Sequence, residues 1–205
     1  MSYYTFFQNS HKFSQHFFYR DIEEAMNSCR EYFKTMTNVH SLHVKVSKFS
    51  CYGKESFQTL IGPEHLTETL LNRTFLISPD AFFQVNPSGA EVLYSTIREM
   101  ATFGLDSPKS CVLLDACCGT GTIGIILSDL FHFVIGFDVE EASILNAKKN
   151  AEENKAKNCG YLIGTAKSCF KYMSKKYILK SDRPVVAVVN PSRSGLANSV
   201  MDEVS

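Results

Sequence analysis

Residues 111–124 read CVLLDACCGTGTIG, and residues 133–138 read FVIGFD. Each segment contains an apolar run without the alternation of a half-buried strand, which is typical of parallel strands buried on both faces. A glycine-rich turn and an apolar helical stretch separate the two runs. The order strand, turn, helix, strand predicts a βαβ unit and therefore a parallel sheet.

The alternation of strands and helices continues to residue 189 and predicts an α/β fold. We expect a doubly wound parallel sheet of about four strands in the spatial order 3-2-1-4. The predicted strands are 112–116, 133–137, 161–163 and 185–189, and the helices between them are 122–130, 141–153 and 170–179.

A small α+β segment is expected before this sheet, and we place the domain division between residues 1–74 and residues 75–205. The segment is predicted to contain a helix at 21–34, a strand at 42–49, turns at 53–63 and a short apolar run at 75–77. A further helix should follow Asn86-Pro87, with Ser88 and Glu91 as its capping box.

The composition is that of a folded, soluble chain: 44% of its 205 residues are apolar, and 21 Lys and Arg balance 21 Asp and Glu. These values exclude an intrinsically disordered chain. No apolar run reaches the roughly 18–20 residues of a membrane helix, so we expect no membrane partner. The seven cysteines are odd in number and lack CxxC spacing, which argues against disulfides or a metal site and favours an intracellular compartment.

The balanced charge is unevenly distributed. Residues 1–139 hold 10 basic and 14 acidic side chains, whereas residues 140–183 hold 10 basic and 5 acidic ones. The second stretch can therefore carry a cationic face for nucleic acid. Its lysines at 167, 171, 175 and 176 are candidate phosphate contacts, which would not read base sequence.

The glycine-rich turn is the strongest candidate for a cofactor site. Gly119 and Gly121 allow the backbone to turn sharply and approach a ligand, and the helix that follows offers unpaired amide N–H groups. Asp138 ends the second strand, where a carboxylate can accept hydrogen bonds from both hydroxyls of an adenosine ribose. The cofactor should therefore contain adenosine.

Two adenosine cofactors are open at this point. Residues 119–124 match the Gly-x-Gly-x-x-Gly pattern of dinucleotide sites, which favours NAD and an oxidoreductase. Asp115 favours S-adenosylmethionine, because a carboxylate attracts the ammonium of a methionine-like tail and repels a pyrophosphate. S-adenosylmethionine fits better, and NAD is the remote alternative.

Four motifs resemble the S-adenosylmethionine-dependent RNA uracil-5-methyltransferases, a family best known for making 5-methyluridine in tRNA. The motifs are FLISPDAFFQVN at 75–86, LLDACCGTGTIG at 113–124, IGFDVEEA at 135–142 and NPSRSGL at 190–196. The first is much more specific than the glycine loop, which any class I methyltransferase shares. The resemblance implies a Rossmann-like class I methyltransferase sheet and an RNA substrate, most often tRNA.

The resemblance also implies roles for single residues near the cofactor. Gln84 would contact the cofactor, and Asp138 would hold its ribose. Cys117 would contribute a contact within the loop, with Thr122 nearby.

The end of the fourth strand departs from the family pattern. Asn190 stands where most members have Asp, beside cofactor and target base, and Pro191 and Arg193 follow as candidate substrate contacts. Asn-Pro at this place is similar to the animal mitochondrial-type branch. Together with an N-terminal segment of twenty residues that contains no acid, it favours a mitochondrial location over the cytoplasm or nucleus.

In the family a Cys thiolate adds to C6 of uracil, C5 attacks the methyl group, and a carboxylate removes the C5 proton. That Cys lies beyond the fourth-strand motif, so we expect no catalytic residue in this sequence and a nucleophilic Cys beyond Ser205. Cys117 and Cys118 are interpreted as packing residues. The chain is then a C-terminally truncated and inactive member, without a predicted protein partner. The alternatives are a non-catalytic cofactor- or RNA-binding fragment and another class I enzyme, such as an amino-group N-methyltransferase.

Overall fold

The structure is a computed structural model that describes residues 4–8, 11–15, 22–45, 57–176, 182–191 and 195. It divides into two compact units. The first comprises Met1–Leu66 with Ser78–Asp80, and the second comprises Thr67–Ile77 with Ala81–Ser205. Within the described ranges, no helix is both long enough and apolar enough to span a membrane.

In its described residues, the first unit contains one helix and two antiparallel strand pairs, β1 with β2 and β3 with β4. Its elements are β1 (Tyr4–Gln8), β2 (His11–Gln15), α1 (Ile22–Lys34), β3 (Leu42–Val44) and β4 (Gln58–Ile61). Ala25 and Cys29, one helical turn apart on α1, are buried in a cluster with Leu42, Val44 and Leu60. The helix predicted at 21–34 is therefore confirmed from residue 22 onward.

Two predictions for this unit differ from the structure. The strand predicted at 42–49 is described only for Leu42–Val44, since residues 46–49 lie outside the described ranges. The stretch 53–63, predicted as turns, contains strand β4. Burial of Leu60 in the core of the unit outweighs the turn-forming residues on either side of it.

The second unit is a four-stranded parallel sheet with helices on both faces and a separate two-stranded hairpin. Its helices are α2 (Pro87–Thr102), α3 (Thr122–Leu127), α4 (Glu141–Glu153) and α5 (Ala166–Lys176). Its strands are β5 (Leu66–Leu70), β6 (Arg73–Ile77), β7 (Val112–Ala116), β8 (Phe133–Asp138), β9 (Cys159–Ile163) and β10 (Val185–Val189). The sheet order β10-β7-β8-β9 confirms the predicted parallel α/β sheet.

The register of the sheet brings the ends of all four strands together. Ala116 pairs with Val189 on one side and with Phe137 on the other, and Asp138 pairs with Ile163. The four carboxyl ends therefore lie along one border, here called the carboxyl edge. The border where the strands begin is called the amino edge.

The central strands contribute to an apolar layer on each face of the sheet. Leu113 and Val134 belong to the layer formed with α2, α3 and α4. Leu114 and Ile135 belong to the layer formed with α5, which includes Phe170. Burial on both faces explains why these strands lack polar alternation.

The β5–β6 hairpin was not predicted, apart from the apolar run at 75–77. Asn150 lies on α4, and Asn154 caps the C-terminus of the same helix one turn later. The side-chain amides of both residues form hydrogen bonds with the backbone of β6, as a neighbouring strand would. Asn150 accepts from the Leu76 N–H at 2.7 Å and donates to its carbonyl at 3.2 Å. Asn154 does the same for Thr74 at 2.9 and 2.6 Å. The hairpin thus packs with the second unit, while the division predicted at residue 74 stays a prediction.

Helix ends differ from prediction where side chains compete with the backbone. The N-cap of α2 is Asn86, which accepts from the Gly89 N–H at 3.1 Å, and the predicted Ser88–Glu91 capping box is not formed. Glu91 accepts from the Leu71 N–H at 3.2 Å instead. Helix α3 ends at Leu127 rather than at 130. The hydroxyl of the next residue, Ser128, donates a hydrogen bond to the carbonyl of Ile125 and so competes with the backbone. Helix α5 begins at Ala166 rather than at 170, and residues 177–179 lie outside the described ranges.

Candidate cofactor site

The loop after β7 lies at the carboxyl edge, and backbone hydrogen bonds tie it to the strands on both sides. The Cys118 N–H donates to the carbonyl of Phe137 at 3.1 Å. The Asn190 N–H donates to the carbonyl of Ala116 at 3.2 Å. The structure therefore brings together the predicted glycine loop, the end of β8 and the residue that follows β10.

Asp138 is bonded directly to the loop. Its Oδ2 accepts from the Gly119 N–H at 2.9 Å, and its Oδ1 accepts from the Glu140 N–H at 3.0 Å. The carboxylate is half-buried, and each of its oxygens has a second lone pair. Asp138 is thus fixed in position and still able to accept hydrogen bonds from a ligand.

The two predicted loop glycines have different surroundings. Both adopt left-handed backbone conformations, with φ of +53° at Gly119 and +78° at Gly121. A Cβ on Gly121 would lie 2.8 Å from the Tyr161 hydroxyl and 3.0 Å from the Cβ of Ala147, whereas a Cβ on Gly119 would meet nothing within 4 Å. Gly121 is therefore required by packing, while Gly119 borders open space beside Asp138.

Asp115 lies beneath the loop rather than on an open surface. It is fully buried, and its Oδ2 accepts from the Gly124 N–H at 2.8 Å. Its Oδ1 has no hydrogen-bond partner among the described residues. Burial is the main cause that raises the pKa of Asp115 to about 7. The carboxylate thus braces the start of α3, and its predicted contact with a ligand ammonium stays a prediction.

Gln84 is connected to this site through a tyrosine that the sequence analysis missed. The half-buried side chain of Gln84 lies near the hydroxyl of Tyr94, a residue that is 4% exposed. Burial and the nearby charge of Asp115 raise the pKa of Tyr94, and the Gln84 side chain offsets part of this rise. In the sequence, Tyr94 follows Leu93 within the apolar pattern of α2 and is therefore easily taken for a core residue. Only its hydroxyl, which can donate a hydrogen bond, distinguishes it from its apolar neighbours.

Asn150 is a second residue that the sequence analysis missed. Besides its bonds to β6, its amide donates to the carbonyl of Thr120 in the loop at 3.2 Å. It is fully buried. The paired asparagines four residues apart on one helix face are the signal that could have identified it.

The remaining loop side chains are buried, except for that of Cys117, which is half-buried. Thr122 is buried, and its hydroxyl lies 3.0 Å from that of Thr120. Burial raises the pKa of Cys117, and it raises that of the more deeply buried Cys118 further. Both cysteines are therefore protonated thiols at neutral pH, in keeping with a packing role.

The residues predicted around the target base are only partly described. Asn190 is exposed and Pro191 is half-buried, while Arg193 lies outside the described ranges. In the part of the chain that the structure describes, no group of three or more His, Cys, Asp or Glu residues could hold a metal ion.

Comparison with known proteins gives the same fold. A family model described as a methyltransferase domain matches residues 107–187. The tRNA (uracil-54, C5)-methyltransferase of Pyrococcus abyssi, solved with S-adenosyl-L-homocysteine, superposes with a TM-score of 0.61 at 24% identity, covering 94% of this chain and 42% of that one. The sheet is therefore a class I methyltransferase sheet, as predicted.

Sequence relatives are closer. The chain is 43% identical over 146 residues to the tRNA (uracil-5-)-methyltransferase homolog B of Danio rerio. This alignment covers 70% of this chain and 28% of that protein. It is 38% identical over 149 residues to the human homolog B, covering 72% of this chain and 28% of that protein. An uncharacterized RNA methyltransferase of Caldanaerobacter subterraneus is 38% identical over 150 residues, covering 73% and 31%.

The chain therefore spans less than a third of the length of these relatives. Each alignment covers 70–73% of this chain, at identities of 38–43%. The resemblance that the four motifs indicated is therefore confirmed: over about 70% of its length, the chain is similar to proteins named as tRNA (uracil-5-)-methyltransferase homologs.

Proposed function

We propose that this chain binds S-adenosylmethionine at the carboxyl edge of its parallel sheet and forms the cofactor-binding part of an RNA uracil-5-methyltransferase acting on tRNA. The observation that carries the proposal is the hydrogen bond of 2.9 Å from the Gly119 N–H to Asp138. It fixes a carboxylate beside a glycine whose Cβ side is open. A ribose with two free hydroxyls fits this combination of a fixed acceptor and free space.

The residues around this pair have distinct roles in the proposal. Asp138 accepts the ribose hydroxyls, and Gly119 leaves room for the nucleoside. Two further polar groups are supplied by Gln84, which lies near Tyr94, and by Asn190, whose backbone N–H donates to the Ala116 carbonyl. When bound, the cofactor supplies an electrophilic methyl group on a sulfonium centre.

Asp115 makes a dinucleotide a poor occupant. In a dinucleotide site the amide groups at the start of the helix receive the pyrophosphate. Here the Gly124 N–H is already occupied by Asp115 at 2.8 Å. A pyrophosphate would have to displace this bond and approach a carboxylate, which disfavours NAD.

The methyl acceptor in this proposal is a uridine in RNA, whose C6 must be activated by a thiolate. Cys117 and Cys118 do not supply this thiolate, because burial raises the pKa of both.

A mitochondrial location belongs to the same proposal and rests on the Asn190-Pro191 pair and the N-terminal segment. Transfer of labelled methyl groups to unmodified tRNA separates an enzyme from a cofactor- or RNA-binding module.

Calorimetry with S-adenosylhomocysteine and with NADH tests the cofactor. We expect the 205-residue chain to bind the first and not the second. Asp138→Ala should weaken the binding of S-adenosylhomocysteine by about tenfold or more, because two charge-assisted hydrogen bonds are lost. Glu141→Gln, an exposed acid three residues away, is the matched control and should bind like the wild type. Tighter binding of NADH, or an unchanged affinity in Asp138→Ala, would overturn the proposal.

A further inference from the structure

Two grooves adjoin beside the C-terminal half of α4, the first at the amino edge of the sheet and the second extending from it toward the middle of β9. One has a volume of about 420 Å³ and is lined by the segments that lead into β7, β8 and β9. The other, of about 430 Å³, runs along α4 to Tyr161. They share Lys155 and Ala156, and the two adjoining grooves are treated together as one depression. A strand of five residues, roughly 17 Å long, separates this edge from the candidate cofactor site.

Five basic side chains line the depression, which we call the amino-edge strip: Arg73, Lys109, Lys148, Lys155 and Lys157. Two carboxylates, Asp129 and Glu152, lie among them. Asp129 is held by a separate arginine, Arg98, through two bonds of 3.0 Å. Within the described ranges, none of the five basic groups forms a salt bridge. The strip therefore holds five positive charges against two negative ones, of which Asp129 interacts with Arg73 as well as with Arg98.

A structural role does not account for these charges. A cation in the last turn of α4 would be favoured by the helix dipole, but Arg73 lies on β6 and Lys109 precedes β7. Lys155 adopts a left-handed backbone conformation, with φ of +55°, at the end of α4 where glycine or asparagine is preferred. Its side chain is exposed. Stability alone would favour a different residue there.

We propose that the amino-edge strip binds the phosphodiester backbone of the RNA substrate, at a distance from the base that receives the methyl group. The inference rests on the proposed function, which supplies the RNA. Several unpaired cations along a groove match a polymer with one negative charge per nucleotide, and such contacts fix position without reading sequence. The strip lies beside α4, whereas the lysines of the α5 surface lie on the other side of the sheet.

Fluorescence anisotropy with an unmodified tRNA transcript tests the strip. Both substituted lysines of the double variant Lys109→Gln/Lys155→Gln are exposed, so the fold should be kept. We expect affinity to fall about tenfold at ~0.1 M salt, and the slope of log affinity against log salt to decrease by about 1.5, since each phosphate contact contributes about 0.7–0.9. The charge-matched variant Lys167→Gln/Lys171→Gln removes two of the candidate phosphate contacts on α5 and so tests the rival surface; if the strip is the main contact, its affinity should stay within about twofold of wild type.

The outcomes separate the strip from the proposed function. An equal or larger loss in the α5 variant, or no loss in the strip variant, would overturn the strip. Equally tight binding of poly-L-glutamate would assign the strip to acidic proteins and overturn its role in RNA binding. Calorimetry with S-adenosylhomocysteine on the same samples reports the cofactor site independently, so a chain that binds tRNA through the strip but no cofactor would refute only the proposed function.

Discussion

The two edges of the parallel sheet differ in how their charged groups are used. At the carboxyl edge, Asp115 and Asp138 accept hydrogen bonds from backbone amides of the same loop. At the amino edge, the basic groups that line the grooves form no salt bridge within the described part of the chain. One edge is internally organised around acids, and the other presents cations outward.

This difference indicates what each edge can bind. Acids fixed by backbone amides keep their geometry without a ligand, which suits a small molecule recognised by a few placed acceptors. Unpaired cations on flexible side chains suit a polyanion that is held by charge and displaced by salt. The predictions below change one edge at a time.

The largest effect is expected from adding a methyl group inside the loop. Gly121→Ala places a Cβ 2.8 Å from the Tyr161 hydroxyl at a φ of +78°. The left-handed conformation costs roughly 1–2 kcal/mol and overpacking adds roughly 1–3 kcal/mol, so the free energy of unfolding should fall by about 2–5 kcal/mol. Urea denaturation measures this loss.

Gly119→Ala is the matched control for packing. Its φ is also positive, but its Cβ meets nothing within 4 Å, so stability should fall by only about 1–2 kcal/mol. Because the new methyl group points into the space next to Asp138, the affinity for S-adenosylhomocysteine should fall strongly even though the protein stays folded. Equal destabilisation by the two substitutions would contradict the assignment of Gly121 to packing and Gly119 to the ligand.

The carboxyl edge was largely predictable because local sequence determines it. The glycines need left-handed backbone, Asp138 ends an unalternated strand, and both signals lie within a single βαβ unit. The exact use of Asp115 was not predictable, since an acid four residues before the glycine can face a ligand or the helix start equally well. Only the three-dimensional position of the Gly124 amide decides between the two.

The amino edge was predictable only in part. Lys148, Lys155 and Lys157 lie in the basic stretch 140–183, whereas Arg73 and Lys109 come from segments far from it in sequence. Arg73, Lys109 and Lys155 meet only once the sheet is assembled. The charge count predicted a cationic face for residues 140–183 as a whole, and the lysines that were singled out as candidate phosphate contacts lie on or near α5. The β5–β6 hairpin was missed for a similar reason, since its partner amides lie on α4, at separations of 74 and 80 residues.

Those amides give a finer test of the comparison between edges. Asn150 and Asn154 make equivalent pairs of bonds to β6, but only Asn150 also reaches the loop, through the Thr120 carbonyl at 3.2 Å. Asn154 lines the amino-edge groove instead. Asn150→Ala leaves buried backbone groups unpaired and should lower stability by about 3 kcal/mol, and Asn154→Ala by about 2 kcal/mol.

The two variants should differ more in ligand binding than in stability. We expect Asn150→Ala to weaken S-adenosylhomocysteine binding by about tenfold below its melting temperature, whereas Asn154→Ala should bind like the wild type. Calorimetry at a temperature where both variants are folded makes the comparison. If both lose affinity in proportion to their stability, Asn150 contributes to the fold alone and its link to the loop has no effect on the cofactor.

The smallest effect concerns pH and again separates the edges, because it depends on an acid that only the carboxyl edge buries. Burial raises the pKa of Asp115 from an ordinary value of 3.8 to about 7, so the folded chain binds this proton more tightly than the unfolded chain. The stability that the bound proton provides is complete below about pH 4 and is lost as the pH rises through about 7. Asp115→Asn keeps an acceptor for the Gly124 N–H but cannot ionise. It should therefore differ least from the wild type near pH 4, gain on it as the pH rises toward 7, and melt at least a few degrees higher at pH 8. A melting temperature difference that is the same at both pH values would show that Asp115 ionises normally in the folded chain, and that the loop is braced by a charge which a ligand ammonium could still reach.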